Sequence, residues 1–145
     1  MTNIFHDVRG LVIAAIGDLT AQGALPPGLD LARVAVEPPR DPTHGDLATN
    51  AAMVLAGVVK ENPMALAEHL ADAVSRRPVG DYRGAGLTVG AARPGFLNIR
   101  LFPAVWHAQL RAILRVGKSF GDSTLGSGER VNVEYVSANP TGPMH

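Results

Sequence analysis

The sequence predicts an α+β domain: a small, mainly antiparallel sheet packed against about four helices. Apolar residues recur at spacings of three and four in segments that begin near Asn3, Asp46, Asn62 and Pro103, the period of an amphipathic helix. Between the last two lies an alternation from Leu87 to Ala92, then Pro94-Gly95, then a second alternation to Leu101, which is the pattern of a hairpin. The 16 glycines and 11 prolines among 145 residues break the chain into short punctuated elements of this kind.

Composition narrows the functional classes. A chain of 145 residues can bury roughly two thirds of its unfolded surface around one core. The absence of cysteine excludes disulfides, thiolate nucleophiles and cysteine zinc sites together. His6, His44, His69, His107 and His145 are scattered, never two on one helix turn, so no metal held by protein side chains alone is expected. No apolar run approaches the roughly 20 residues that span a bilayer. The first segment carries Asp7, Arg9 and Asp18, unlike a signal peptide, so a cytoplasmic protein without membrane contact is expected. Formal charge balances at zero, which argues against gripping nucleic acid through an overall field and leaves room for a local basic face.

Ile4, Val8, Leu11, Val12, Ala15, Ile16 and Leu19 place a core helix between Asn3 and Gly23. After Pro26, Pro27 and Gly28, the run Leu31 to Glu37 alternates at Val34 and Val36 and reads as a short strand. The following E-P-P-R-D-P-T-H-G-D is too rich in proline for a helix interior or central strand. Asp46 is then the expected N-cap of a helix with Leu47, Ala51, Val54, Leu55 and Val58 on one face, entered through Gly45. Asn50, a poor helix former one turn inside, is expected to tie the preceding loop or a neighbouring strand. Asn62-Pro63 caps and starts a further helix with Leu66, Leu70 and Val74 as its stripe. Arg76 and Arg77 complement its dipole, or else contact phosphate, and Pro78 ends it before a polar loop over residues 79–86.

Pro94-Gly95 fits the two central positions of a type II turn. In the return strand Leu97, Ile99 and Leu101 point one way and Phe96, Asn98 and Arg100 the other, because side chains alternate across a strand. A ring, an amide and a guanidinium spaced two apart can stack a splayed base, bond its edge and neutralise a phosphate. The residues equally allow Phe96 under a helix and Asn98 in a turn.

Pro103 opens a final helix with Trp106, Leu110, Ile113 and Leu114 as its stripe, Trp106 in the core, Arg111 and Arg115 on a flank and Gly117 as its stop. Gly117-Lys118-Ser119 is no P-loop, since it follows a helix and Ala112 stands where glycine is required. Residues 118–129 read as a glycine- and serine-rich linker, closing a first domain over 1–117. Residues 130–145 follow: Val131, Val133 and Tyr135 alternate with Asn132 and Glu134 as a strand that runs into a loop, the position where parallel sheets bind ligands.

Three stretches resemble arginyl-tRNA synthetases: V-E-Y-V-S-A-N-P-T-G-P-M-H at the end, H-G-D-L-A-T-N at His44 to Asn50, and P-G-F-L-N-I-R-L at Pro94 to Leu101. The resemblance implies that residues 130–145 begin a Rossmann-like class I catalytic domain, with the first histidine of a His-x-Gly-His signature at His145. It implies a ligase that joins L-arginine to its tRNA through an arginyl-adenylate, using ATP and Mg. Glu134 would face the substrate guanidinium, Ser137 and Asn139 its amino and carboxylate groups, and Pro140, Thr141, Gly142, Pro143 and His145 the ATP-binding loop. The residues alone leave Glu134 equally an exposed strand carboxylate and Asn139-Pro140 an ordinary turn. In this family the N-terminal domain contacts the tRNA elbow, an aromatic and an amide touching a D-loop nucleotide; Phe96 and Asn98 match those positions, and Arg100 joins them by proximity. A monomer is expected, and these 145 residues by themselves are expected to be inactive. The alternative is a free-standing RNA- or protein-binding α+β module without catalysis.

Overall fold

The computed structural model describes residues 3–77, 86–124 and 126–134. In chain order the elements are α1 (Ile4–Ala21), β1 (Val36–Glu37), a 3-10 turn (Pro42–His44), β2 (Leu47–Thr49), α2 (Ala51–Val59), α3 (Pro63–Ser75), β3 (Leu87–Ala92), β4 (Phe96–Leu101), α4 (Pro103–Val116) and a second 3-10 turn (Gly117–Ser119). The strands form one antiparallel sheet in the order β1-β2-β4-β3. The α+β expectation holds. The chain divides into two units, Met1–Arg115 and Val116–His145.

Helices α1 and α3 begin as the sequence predicts. The Asn3 side chain accepts from the Phe5 N–H at 3.0 Å, and Asn62 accepts from the Met64 N–H at 2.8 Å with Pro63 in the first turn. Val8, Val12, Ala15 and Ile16 of α1 meet Leu66, Leu70 and Val74 of α3 in one core that also takes Leu97, Ile99 and Leu101 from β4. Arg77 joins the two helices: one guanidinium nitrogen donates to the Ala14 carbonyl at 3.0 Å and pairs with Asp18. Arg76 pairs with Asp72 one turn back on the same helix. Both arginines are thus engaged within the protein. Pro78 and residues 79–85 lie outside the described residues.

The expected strand over Leu31–Glu37 is reduced to Val36–Glu37. The cause is Arg9 of α1, whose Nε donates to the Val34 carbonyl at 2.7 Å and whose Nη2 donates to the Leu31 carbonyl at 3.1 Å. Carbonyls turned toward a guanidinium cannot enter a sheet ladder.

The helix expected from Asp46 is a second correction. Residues 47–49 form strand β2, between β1 and β4, and α2 starts only at Ala51. The later start moves the buried face to Ala51, Ala52, Leu55 and Ala56 and leaves Val58 66% exposed. Asp46 caps no helix; its carboxylate accepts from the Leu101 N–H at 2.7 Å, and its own N–H donates to the Ile99 carbonyl at 2.8 Å.

The hairpin turn also differs in register. The Gly95 N–H donates to the Ala92 carbonyl at 2.9 Å, so the central residues are Arg93 and Pro94, joined by a cis peptide bond, and not Pro94-Gly95. Gly95 follows at φ 153°, where an added Cβ would lie 2.8 Å from the Pro63 Cβ.

In α4 three of the four residues expected in the buried stripe are exposed. Trp106 is 40% exposed, Leu110 53% and Leu114 71%, while Val105 is buried and Ala108, Gln109, Ala112 and Ile113 are half-buried. The exit from β4 sets this phase: the Phe102 N–H donates to the Gly86 carbonyl and the Val105 N–H to the Phe102 carbonyl, which turns Val105 inward.

In the second unit, residues 131–134 carry no regular secondary structure, and Val131 and Val133 are exposed. The strand expected there is not formed within these residues, since a strand exists only against a partner.

Candidate nucleic-acid interface

Helices cover one face of the sheet, and the other is open. Alternation along β4 buries Leu97, Ile99 and Leu101 and turns Phe96, Asn98 and Arg100 outward, as the sequence predicts. The register places Glu37, Ala48, Asn98 and Gly90 side by side across the four strands. The half-buried Asn98 amide therefore stands between a methyl group and a glycine in its cross-strand row. Phe96, 37% exposed, lies opposite the equally small Ala92.

Around this row the surface forms a groove of about 640 Å³. That is within the roughly 300–1,000 Å³ usual for small-ligand sites. Ala48, Phe96 and Asn98 belong to its floor, Arg40, Asp41 and His44 to one end, and Asn50, Met53 and Arg93 to the other.

Local hydrogen bonds hold the walls. The Asp41 carboxylate accepts from the Thr43 N–H at 2.9 Å and the Thr43 hydroxyl at 2.7 Å, capping the 3-10 turn. Those two bonds, the backbone one first, hold the Asp41 carboxyl below the usual carboxylate range, with the neighbouring His44 adding to the effect. Arg100 Nη2 donates to the Thr43 carbonyl at 3.3 Å, so this guanidinium props the turn from outside. It is not part of the groove lining. Phe96 and Asn98 are brought together as expected; Arg100 shares their face but is engaged elsewhere.

The Gly45, Asp46 and Asn50 motif serves both ends of the groove, Gly45 and Asp46 at the Asp41 end and Asn50 at the other. An added Cβ on Gly45 would lie 2.6 Å from the Ile99 carbonyl oxygen, so only glycine lets the loop meet β4. Asn50 accepts from the Ala35 N–H at 2.9 Å and donates to the Arg33 carbonyl at 3.2 Å, fastening the segment before β1 to the start of α2.

Sequence reasoning missed Arg40 and Arg93. Arg40 sits in a proline-rich loop with no periodicity to orient it, and only the fold brings it over the sheet. Arg93 carried a usable signal, a cation three residues before the aromatic of the same hairpin. Among the described residues no group of three or more histidine or acidic side chains could hold a metal ion, and no helix is long and apolar enough to cross a membrane. Glu134 is exposed; Ser137, Asn139, Pro140, Thr141, Gly142, Pro143 and His145 lie outside the described residues.

Residues 6–101, which contain the whole sheet and the groove, match the profile of the family described as "Arginyl tRNA synthetase N terminal domain". An arginine–tRNA ligase of Cereibacter sphaeroides is 54% identical over 143 residues, 99% of this chain and 24% of that protein. The arginine–tRNA ligase of Parvibaculum lavamentivorans is 56% identical over 143 residues, again 99% of this chain and 24% of that protein. That of Rhodospirillum rubrum is 52% identical over 144 residues, 99% of this chain and 23% of that protein. These relatives are aminoacyl-tRNA synthetases. The chain belongs to the arginyl-tRNA synthetase family, through that family's N-terminal domain. It spans about a quarter of the length of these relatives.

Proposed function

We propose that this chain is the tRNA-elbow-binding portion of an arginine–tRNA ligase and that its groove receives one nucleotide of the D-loop. The observation that carries the reading is the exposure of Phe96 beside Asn98, with Ala48 and Gly90 flanking the amide. A base laid on the Phe96 ring gains about 1–3 kcal/mol from stacking. The Asn98 amide, with both donor and acceptor, bonds the base edge that stacking leaves free.

The chemistry belongs to the longer class I ligase. There the L-arginine carboxylate would attack the α-phosphorus of ATP, giving arginyl-adenylate and releasing pyrophosphate, with magnesium supplying charge neutralisation for the phosphates; Glu134 would accept a bidentate pair from the substrate guanidinium, and Ser137 and Asn139 would hold the amino-acid backbone. The loop Pro140 to Pro143 and His145 serve the ATP phosphates, an imidazole donor there being suited to charge that grows in the transition state. Residues 130–145 begin that catalytic domain, and residues 1–117 act in the cytoplasm as a monomeric binding domain without activity of their own. Family membership favours this over a free-standing module. The next three codons discriminate directly, since x-Gly-His continues the signature and a stop codon ends the ligase reading.

The test of the groove is the double variant Phe96→Ala, Asn98→Ala in the full-length ligase. Both side chains project from the open face, so the melting temperature should change little while tRNA affinity falls about tenfold or more, as the loss of one stacked base implies. Unaltered affinity removes the assignment.

A further inference from the structure

Arg40 and Arg93 occupy diagonal corners of the groove, as the register shows. Strand β1 runs from Val36, paired with Thr49, to Glu37, paired with Ala48, and so leaves the sheet toward the end where Leu47 meets Ile99. The loop carrying Arg40 therefore closes that end, on the β1 edge. The turn carrying Arg93 lies beyond Ala92 and Phe96 at the opposite end, on the β3 side. Both side chains line the groove and both are exposed; neither makes an ion pair among the described residues.

We infer that Arg40 and Arg93 bind phosphodiesters on the two sides of the nucleotide held by Phe96 and Asn98, so that a short single-stranded RNA segment crosses the groove from one guanidinium to the other. The inference rests on the reading of the groove given above. Guanidinium and phosphate match in geometry as well as charge. The chain as a whole has no net charge to attract RNA, so phosphate contacts have to come from local cations. The acidic residues sort the ligand further. Asp41 accepts both Thr43 bonds on Oδ1 and stays ionised beside Arg40, and Glu37 projects from the floor row beside Ala48, where it repels a phosphate. Glu37 thereby keeps phosphate off the floor row and leaves that row to the base.

The test uses this 145-residue chain and a tRNA transcript that accepts arginine, with binding followed by fluorescence anisotropy across a salt series starting at low ionic strength. Each phosphate contact on a single strand contributes about 0.7 to the slope of log affinity against log salt. Arg40→Gln and Arg93→Gln should each lower the slope by about that amount and the pair by about 1.4, and Arg→Lys at either position should restore it. Asn98→Ala should weaken binding with the slope unchanged. If neither arginine variant alters the slope while Phe96→Ala or Asn98→Ala weakens binding, the phosphate assignment is wrong and the base site stands. If Phe96→Ala and Asn98→Ala change nothing, the base site falls and the phosphate assignment with it. A wild-type chain with no salt dependence overturns the inference outright.

Discussion

Asp46 and Leu101 are joined side chain to backbone, the carboxylate accepting the Leu101 N–H at 2.7 Å across 55 positions of sequence. The bond closes the last rung between the start of β2 and the end of β4, where the Asp46 N–H also donates to Ile99. Asp46→Ala leaves the Leu101 N–H without its acceptor in a partly buried position and should cost about 1–3 kcal/mol. Asp46→Asn keeps an acceptor oxygen and should cost less. Urea unfolding measures both, and equal stability of the two variants would contradict the role given to the carboxylate oxygen.

Gly45 is the tightest point of the same wall. At φ 118° with the Ile99 carbonyl 2.6 Å from where a Cβ would stand, Gly45→Ala combines backbone strain with a clash against main chain. Strain at such a position costs of order 1–3 kcal/mol. The denaturation midpoint should fall with the slope unchanged, whereas Gly10→Ala, with open space at its Cβ position, should not lower it comparably.

How much of this was legible in the sequence varies element by element. The β4 faces were, because six alternating residues bounded by Pro94-Gly95 and Pro103 leave little choice of register. Strand β2 was not: three residues carry no usable period, and Leu47, Ala51, Val54 and Leu55 fit a helix preceded by a capping aspartate. What decides is the long-range pairing of Leu47 with Ile99 and the Asn50 amide, which binds Ala35 and Arg33 instead of a helix turn. The groove was half legible. Phe96 and Asn98 announce themselves by spacing, but Arg40 reaches them only through a loop whose path is set by Gly45 and Asp41.

Helix α4 shows the limit of periodicity. Its sequence has two apolar stripes, and spacing cannot say which is covered. The sole tryptophan, Trp106, lies on the exposed one. Its emission should be red-shifted and quenched by acrylamide, and Trp106→Ala should cost well under the roughly 3–5 kcal/mol of a core tryptophan. Blue-shifted emission protected from quencher would contradict the placement.

The seat of Gly95 against Pro63 and Met53 has a thermodynamic consequence. With no room for even a methyl group between the hairpin turn and the start of α3, the main chain flanking Arg93 is braced by two helices. The opposite end is fastened by Asp41 and Gly45, and Asn50 ties down the loop before β1 on the Arg93 end. A ligand entering between them meets a backbone that is already arranged. On the proposed reading, the conformational entropy lost on association would fall on the RNA and on the two arginine side chains, at about 0.5–1.5 kcal/mol for each side chain immobilised.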